Sequence, residues 1–247
     1  MQSKTVSVYG YGRFGKLWAD ILAEEYKVKV FSRRGLKKEE VSPGIIIASE
    51  EELFDCDAMF LCVAISSMEE TLIKTKKYHN KKTTFFDTCS VKTYPVQWML
   101  THLPAESPII ATHPMFGPDS YCRNGEKMPL VMCKVRSEEN VFKEWKNFFV
   151  SRNMRVEVMT ADEHDRKVAY SQGITHYIGR VLADLKLEPN SISTVGYKKL
   201  LEIIQQTCND NWQLFLDLQK YNPYTRQMRK DLHISLKKIY AVLEKQA

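Results

Sequence analysis

The sequence predicts an α/β fold: a doubly wound sheet in residues 1–159, followed by an all-helical domain in residues 160–247. Three observations predict it. Short apolar, β-branched runs alternate with helix-period segments as far as Met159. The run Ala58 to Ile65 is wholly apolar, as a parallel strand covered on both faces must be. Beyond Thr160 no segment has the alternation or the β-branched content of a strand.

The elements follow in order. Val6 to Tyr9 reads as a buried strand, Phe14 to Glu25 as a helix and Val28 to Ser32 as a second strand. Gly44 to Ala48 holds a third strand and Ala58 to Ala64 the next. Ser66 and Ser67 open a helix, with Glu69 and Glu70 at capping-box spacing. Thr83 to Phe86 and Pro108 to Ala111 are further strands. Leu130 to Val135 and Arg155 to Met159 read as added strands flanking a helix from Glu138 to Phe149. Such alternation implies right-handed β-α-β units. Thr160 with Glu163 is a capping box for one helix running to about Leu185. After a break at Pro189 to Ser193 come helices Tyr197 to Gln206, Trp212 to Lys220 and Tyr224 to Glu244. The helical domain is short and rich in apolar positions that its own length cannot cover. It is therefore expected to complete its core against a second copy, giving a homodimer.

Composition excludes several classes. At 247 residues, 44% of them apolar, the chain can build one large core or two modest ones. No apolar run approaches the roughly 20 residues of a membrane-spanning helix, so no membrane partner is expected. The first residues enter a strand pattern at once and lack the apolar stretch of a secretory signal. The six cysteines, at positions 56, 62, 89, 122, 133 and 208, include no C-x-x-C pair. They read as reduced thiols in a cytoplasmic protein without a zinc site. The net charge of +6 is spread over many helices with no basic run longer than two. That distribution favours a small anionic substrate and a phosphate-bearing cofactor over nucleic acid.

Gly10-Tyr11-Gly12-Arg13-Phe14-Gly15 is a G-x-G-x-x-G motif that follows a strand and opens a helix, the context that gives it meaning. Gly10 would make the tight turn, Gly12 would admit a pyrophosphate and Gly15 would let helix and strand approach. With Arg13 and Phe14 they form the candidate phosphate-binding turn, and the domain is of Rossmann type. The end of the second strand selects between dinucleotides. Where an NAD site has a carboxylate for the ribose 2′-hydroxyl, this chain has Ser32-Arg33-Arg34, and no carboxylate until Glu39. A guanidinium and a hydroxyl suit a 2′-phosphate, so NADP is expected in preference to NAD.

Two segments fall just beyond carboxyl ends of strands, where such sheets bind ligands. One is Asp87-Thr88-Cys89-Ser90-Val91-Lys92 and the other Thr112-His113-Pro114-Met115-Phe116-Gly117-Pro118. A Ser and a His in such positions suit proton transfer. On the first helix of the second domain, Gln172 and His176 lie four residues apart and share a face. Gly173 and Gly179 are costly inside a helix and point to close approach of a ligand or another helix.

At these residues the chain resembles the prephenate/arogenate dehydrogenase family, nearly end to end, and most closely its plant-type arogenate-using branch. The likeness is carried by Leu61-Cys62, Asp87 to Lys92, Thr112 to Pro118 and Glu163-His164-Asp165. It continues through Ser171-Gln172, Thr175-His176, Gly179-Arg180, Gly196-Tyr197, Thr207 to Phe215 and Tyr221-Asn222. The resemblance implies oxidative decarboxylation of a cyclohexadienol: hydride leaves C4, CO2 leaves C1, and the ring becomes aromatic. It implies that His113 accepts the C4 hydroxyl's proton or hydrogen bond and that Ser90 bonds the same hydroxyl and holds His113. Gln172 and His176 would hold the substrate, His176 near the ring carboxylate. Asp210 falls where the arogenate-using branch has an acidic residue beside the substrate ammonium; as a plain reading of pattern it is instead an N-cap for the helix that follows. Lys198, Lys199 and Arg226 are candidates for the side-chain carboxylate, and Lys92 either touches ligand or bonds nearby backbone. Prephenate is the alternative substrate. A β-hydroxyacid dehydrogenase would need a lysine where Gln172 and His176 stand, and a non-catalytic NADP sensor would need neither Ser90 nor His113.

Overall fold

Each predicted strand forms, and each is short enough for one side of a nucleotide-binding sheet. The computed structural model describes residues 4–121 and 125–245. The chain runs through β1 (Thr5–Tyr9), α1 (Arg13–Leu22), β2 (Lys27–Phe31), β3 (Ile46–Ile47), α2 (Glu50–Leu53) and β4 (Ala58–Leu61). It continues with α3 (Ile65–Thr75), β5 (Thr84–Asp87), α4 (Thr93–His102), β6 (Ile109–Pro114), β7 (Met128–Arg136), α5 (Glu139–Ser151) and β8 (Met154–Val158). The strands form one sheet in the order β3-β2-β1-β4-β5-β6-β7-β8. β1 pairs in parallel with both β2 and β4, so the chain turns back on itself there and opens a crevice at the carboxyl ends of β1 and β4. The fold is α/β and Rossmann-type. Two strands depart from the parallel rule: β7 runs antiparallel to β6, and β8, parallel to β7, shares its direction.

An aromatic cluster fills one face of the sheet. Phe60 stacks on Phe86 at 4.3 Å, Trp18 from α1 meets Phe60 at 5.8 Å, and Trp145 from α5 meets Phe86 at 4.8 Å. All four rings are buried. Ring pairs of this kind add about 0.5–1.5 kcal/mol each to their area burial, and here they fasten α1 and α5 over β4 and β5.

Some boundaries differ from the sequence reading. α3 starts at Ile65 with Ala64 as its cap and no side-chain capping bond, so Ser66 and Ser67 lie inside the helix. α4 has no counterpart in the sequence reading. Pro95 sits in its first turn, where its missing N–H has no intrahelical partner to lose. The predicted helix from Thr160 to Leu185 is three pieces: α6 (Ala161–Val168), a π-helical turn (Ala169–Gly173) and α7 (Ile174–Asp184). The Gly173 carbonyl at the end of the widened turn accepts from Gln219 Nε2 at 2.8 Å. α8 (Val195–Cys208), α9 (Trp212–Tyr221) and α10 (Thr225–Glu244) complete the chain. The chain divides into two compact units, residues 1–161 and 162–247.

No helix among the described residues is long and apolar enough to cross a membrane. Among the same residues no cluster of His, Cys, Asp or Glu could hold a metal ion. Cys56, Cys62, Cys89, Cys133 and Cys208 are free thiols, and Cys122 lies outside the described residues. Burial pushes the Cys56 thiol up to about 11 and Cys62 to about 12, which leaves both unreactive.

Candidate active site

In the first unit the glycine turn connects β1 to α1. Gly10 has φ +103°, and a Cβ there would lie 2.3 Å from the Cys62 carbonyl oxygen of the β4 end. A Cβ on Gly15 would lie 1.9 Å from the Gly10 oxygen. Both positions therefore require glycine for packing. Gly12 is different: nothing of the protein comes within 4 Å of its Cβ position, and it is the N-cap of α1 without any side-chain cap. An open cradle at a helix N-terminus with unclaimed N–H groups fits the pyrophosphate of a dinucleotide. Arg13 is exposed and pairs with Asp119 at 2.6 Å, while Phe14 stacks on Trp18 at 5.6 Å. Of this pair, Arg13 alone stands at the surface, and Phe14 packs against the core.

Ser32, Arg33 and Arg34 follow β2, and both arginines are exposed. A carboxylate does reach them: Glu40 Oε1 stands 2.9 Å from Arg34 Nη2. A backbone bond from Lys37 and the Arg34 charge hold the Glu40 carboxyl below its usual range. The pairing is at the surface, where its worth is small, so a phosphate can displace it.

His113 lies within β6, which extends to Pro114, and is buried at 3% exposure. The sequence reading ends this strand at Ala111, but the structure carries it three residues further, so the His113 backbone is held in the ladder opposite Val131. Ser90 is also buried, and its Oγ has no hydrogen-bond partner. Ser90 therefore does not hold His113 here. Asp87 and Lys92, both wholly buried, instead connect the loop to the strand. Lys92 Nζ forms an ion pair with Asp87 and donates to the Thr112 carbonyl at 2.6 Å. Asp87 accepts from the backbone N–H of Cys89 at 3.1 Å and of Thr112 at 3.2 Å, and Thr112 Oγ1 donates to the Asp87 carbonyl. The loop that carries Ser90 and the strand that carries His113 are thus tied together through Asp87 and Lys92, on either side of Ser90, and Thr112, next to His113. Of the two readings of Lys92, the structure supports the backbone one.

In the second unit Gln172, His176 and Arg180 occupy successive turns of the helix. Gln172 Oε1, His176 Nδ1 and Arg180 Nε are all buried without a partner. Buried polar atoms are nearly always satisfied, so three in a row on one helix leave room for polar partners, water or ligand. Burial pushes the His176 pKa down, opposed by the Asp210 charge and reinforced by Arg180. His176 is consequently neutral at pH 7, with Nδ1 able to donate or accept according to tautomer.

Gly179 explains how these groups meet α8. A Cβ there would lie 2.0 Å from Thr207 Oγ1, so α7 and α8 touch backbone to side chain. Of the two roles open for Gly179, the structure selects close approach of another helix. Asp210 is not the N-cap of α9. Asn211 is: its side chain accepts from Leu214 N at 2.7 Å. That leaves the half-buried Asp210 carboxylate free of capping work. Lys198, Lys199 and Arg226 are all exposed. Arg180, which sequence reasoning did not select, is the cation among these buried groups. Its signal was visible as the next i, i+4 position after Gln172 and His176.

Comparison with known proteins agrees with this picture. The profile of the family described as "Prephenate dehydrogenase, nucleotide-binding domain" matches residues 32–158, and one described as "TYRAAT1-like, C-terminal domain" matches residues 181–247. Arogenate dehydrogenase 1, chloroplastic, of Arabidopsis thaliana is 30% identical over 95% of this chain, and the chain spans 38% of that relative's length. Arogenate dehydrogenase 2, chloroplastic, of the same plant is also 30% identical over 95% of the chain, which spans 68% of it. Among solved structures, the prephenate dehydrogenase of A. aeolicus in complex with hydroxyphenyl propionate and NAD+ superposes with a TM-score of 0.78. That match covers 100% of this chain and 93% of the other at 17% identity, a likeness of fold.

Proposed function

Because the chain belongs to the prephenate/arogenate dehydrogenase family, in its plant-type branch, we propose that it converts arogenate to tyrosine by oxidative decarboxylation, with NADP as hydride acceptor. The observation that carries this reading is the set of unpartnered buried atoms. Ser90, Gln172 and His176, three of the residues that the resemblance assigns to substrate, each bear one. The glycine cradle would hold the cofactor's pyrophosphate, and Ser32, Arg33 and Arg34 would hold a 2′-phosphate. The cofactor, when bound, supplies the hydride acceptor.

The chain's own groups do the rest. As hydride leaves C4 of the ring, the C4 oxygen becomes more acidic, and His113 takes its proton or a strengthening hydrogen bond. Ser90 Oγ bonds the same oxygen. The C1–carboxylate bond breaks, its electron pair enters the ring, CO2 leaves and the oxygen recovers its proton as a phenol. Gln172 and neutral His176 orient the ring and its carboxylate. Asp210 faces the substrate ammonium; beside the keto group of prephenate the same carboxylate would be desolvated without a partner.

The test is direct. Purified protein is mixed with NADP or NAD and with arogenate or prephenate, and absorbance of the reduced nicotinamide is followed. Turnover with arogenate and NADP is the expected result. Asp210→Asn is expected to move the arogenate-to-prephenate ratio of kcat/KM toward prephenate by roughly 10- to 100-fold, the worth of one hydrogen bond to a charged group. Turnover of prephenate alone by the wild type would overturn the role given to Asp210, and no turnover of either would overturn the function.

We also propose a homodimer formed through the helical unit. The carboxyl half of α10 is exposed, and Leu236, Ile239, Tyr240 and Leu243 form an i, i+3, i+4, i+7 stripe that is 57–65% exposed. A helix stripe of this kind needs a partner, and a second copy supplies a matching one. Sedimentation velocity at micromolar concentration should give twice the chain mass of 28.8 kDa; a monomer would remove the proposal.

A further inference from the structure

We infer that Arg180 is the positioning residue for substrate discrimination, acting through the main chain of Asp210. The inference rests on the arogenate reading above. Close contact of α7 with α8 at Gly179 brings the next residue, Arg180, against the end of α8. Its Nη2 donates to two carbonyls, Thr207 at 3.2 Å and Asp210 at 2.7 Å. The Thr207 carbonyl is one of the last of α8 and has no partner within the helix. The guanidinium plane lies over Trp212 at 5.0 Å and Phe215 at 5.7 Å, both on α9. One planar cation therefore joins the end of α8, the link Asn209-Asp210-Asn211 and the start of α9.

The choice of atom matters. Arg180 grips Asp210 by its carbonyl and leaves the carboxylate alone. A cation paired with that carboxylate would neutralise the charge that a substrate ammonium needs. Held by the backbone, Asp210 is fixed in place with its charge available. On its other side, Asn211 uses its own side chain to cap α9, so the link is restrained at both ends. The Asp210 charge and the Arg180 charge act on His176 with opposite signs, which places all three groups together within this unit. A lysine could not reproduce this, because an ammonium has no extended cation to lie over the Trp212 and Phe215 rings while one of its nitrogens reaches both carbonyls.

The experiment is a double-mutant cycle read as substrate ratio. kcat/KM for arogenate and for prephenate is measured with NADP for wild type, Arg180→Gln, Arg180→Lys, Asp210→Asn and Arg180→Gln/Asp210→Asn. The expected result is that Arg180→Gln and Arg180→Lys each lower the arogenate-to-prephenate ratio by about tenfold, and that the double variant has the ratio of Asp210→Asn alone, since coupled residues are not additive. Arg180→Lys keeps the charge and the stem, so it reports even where Arg180→Gln does not fold. Equal losses for both substrates, with the ratio unchanged, would show a structural prop or a direct grip on a carboxylate common to both, and would overturn the inference. So would a double variant whose ratio is the product of the two single effects. If Asp210→Asn itself leaves the ratio unchanged, the reading of Asp210 fails and Arg180 has nothing to act through. If Asp210→Asn moves the ratio and both Arg180 variants leave it, the positioning role alone fails.

Discussion

Replacing His113 by Asn is expected to lower kcat by about 10²- to 10⁴-fold, the usual worth of a positioned acid–base group. KM for arogenate should change by far less, because the ring carboxylate and the ammonium are assigned to residues other than His113. Asn is smaller than the imidazole but places a polar atom where Nδ1 stands, and it can hydrogen-bond but cannot take a proton. Since His113 is 3% exposed in the ladder of β6, a change of size there disturbs packing as well as chemistry, and a second readout separates the two. The second readout is pH. His113 must be neutral to accept a proton, so wild-type kcat/KM falls toward acid, whereas the residual rate of His113→Asn has no such limb from this residue. A wild-type profile that stays flat from about pH 5 to 8, or a variant within about threefold of wild type, would remove His113 from the chemistry.

How much of this was legible follows from where each signal is stored. The sheet was legible because its strands are covered on both faces, so Ala58 to Leu61 and Thr84 to Asp87 lie buried along their whole length and read as largely apolar runs. Gly10, Gly12 and Gly15 were legible because spacing along the chain is what fixes their roles. α4 was hidden by Pro95, which looks like a breaker unless its place in the first turn is known. The π turn at Ala169–Gly173 was hidden because its partner, the Gln219 side chain, lies far along the chain. The same holds for Asp210. Its neighbour Asn211 caps equally well by propensity, and only the fold shows which of them does so. The Glu40–Arg34 pair was not read at all: the two stand six residues apart, and only the fold shows them 2.9 Å from each other. Contacts made along the chain were readable; those made across it were not. The Asp87–Lys92 pair belongs to both groups: the motif displays its residues, and only the fold shows that their work is to join β5 to β6.

That pair carries the largest expected effect on stability. Lys92→Met removes the cation paired with Asp87, at a place where both side chains are fully excluded from water. Breaking a buried ion pair by deleting one member typically costs about 3–5 kcal/mol, because the other charge stays buried. For a chain of this size that lowers Tm by on the order of 10 °C. A second substitution tests the cause. In Asp87→Asn/Lys92→Met the orphan charge is gone and the side chain still accepts from Thr112 N, so the double variant should be more stable than Lys92→Met alone. An ordinary packing defect would make it less stable. The rate should not follow the same order. With the Lys92 bond to the Thr112 carbonyl lost in both variants, one of the ties between the Ser90 loop and the His113 strand is gone, and kcat should remain depressed in the double variant even as its Tm recovers. Calorimetry and steady-state kinetics on the same preparations decide the matter. A double variant that regained both Tm and kcat would show that the charge pair only keeps the protein folded, and that the relative placement of Ser90 and His113 is set elsewhere.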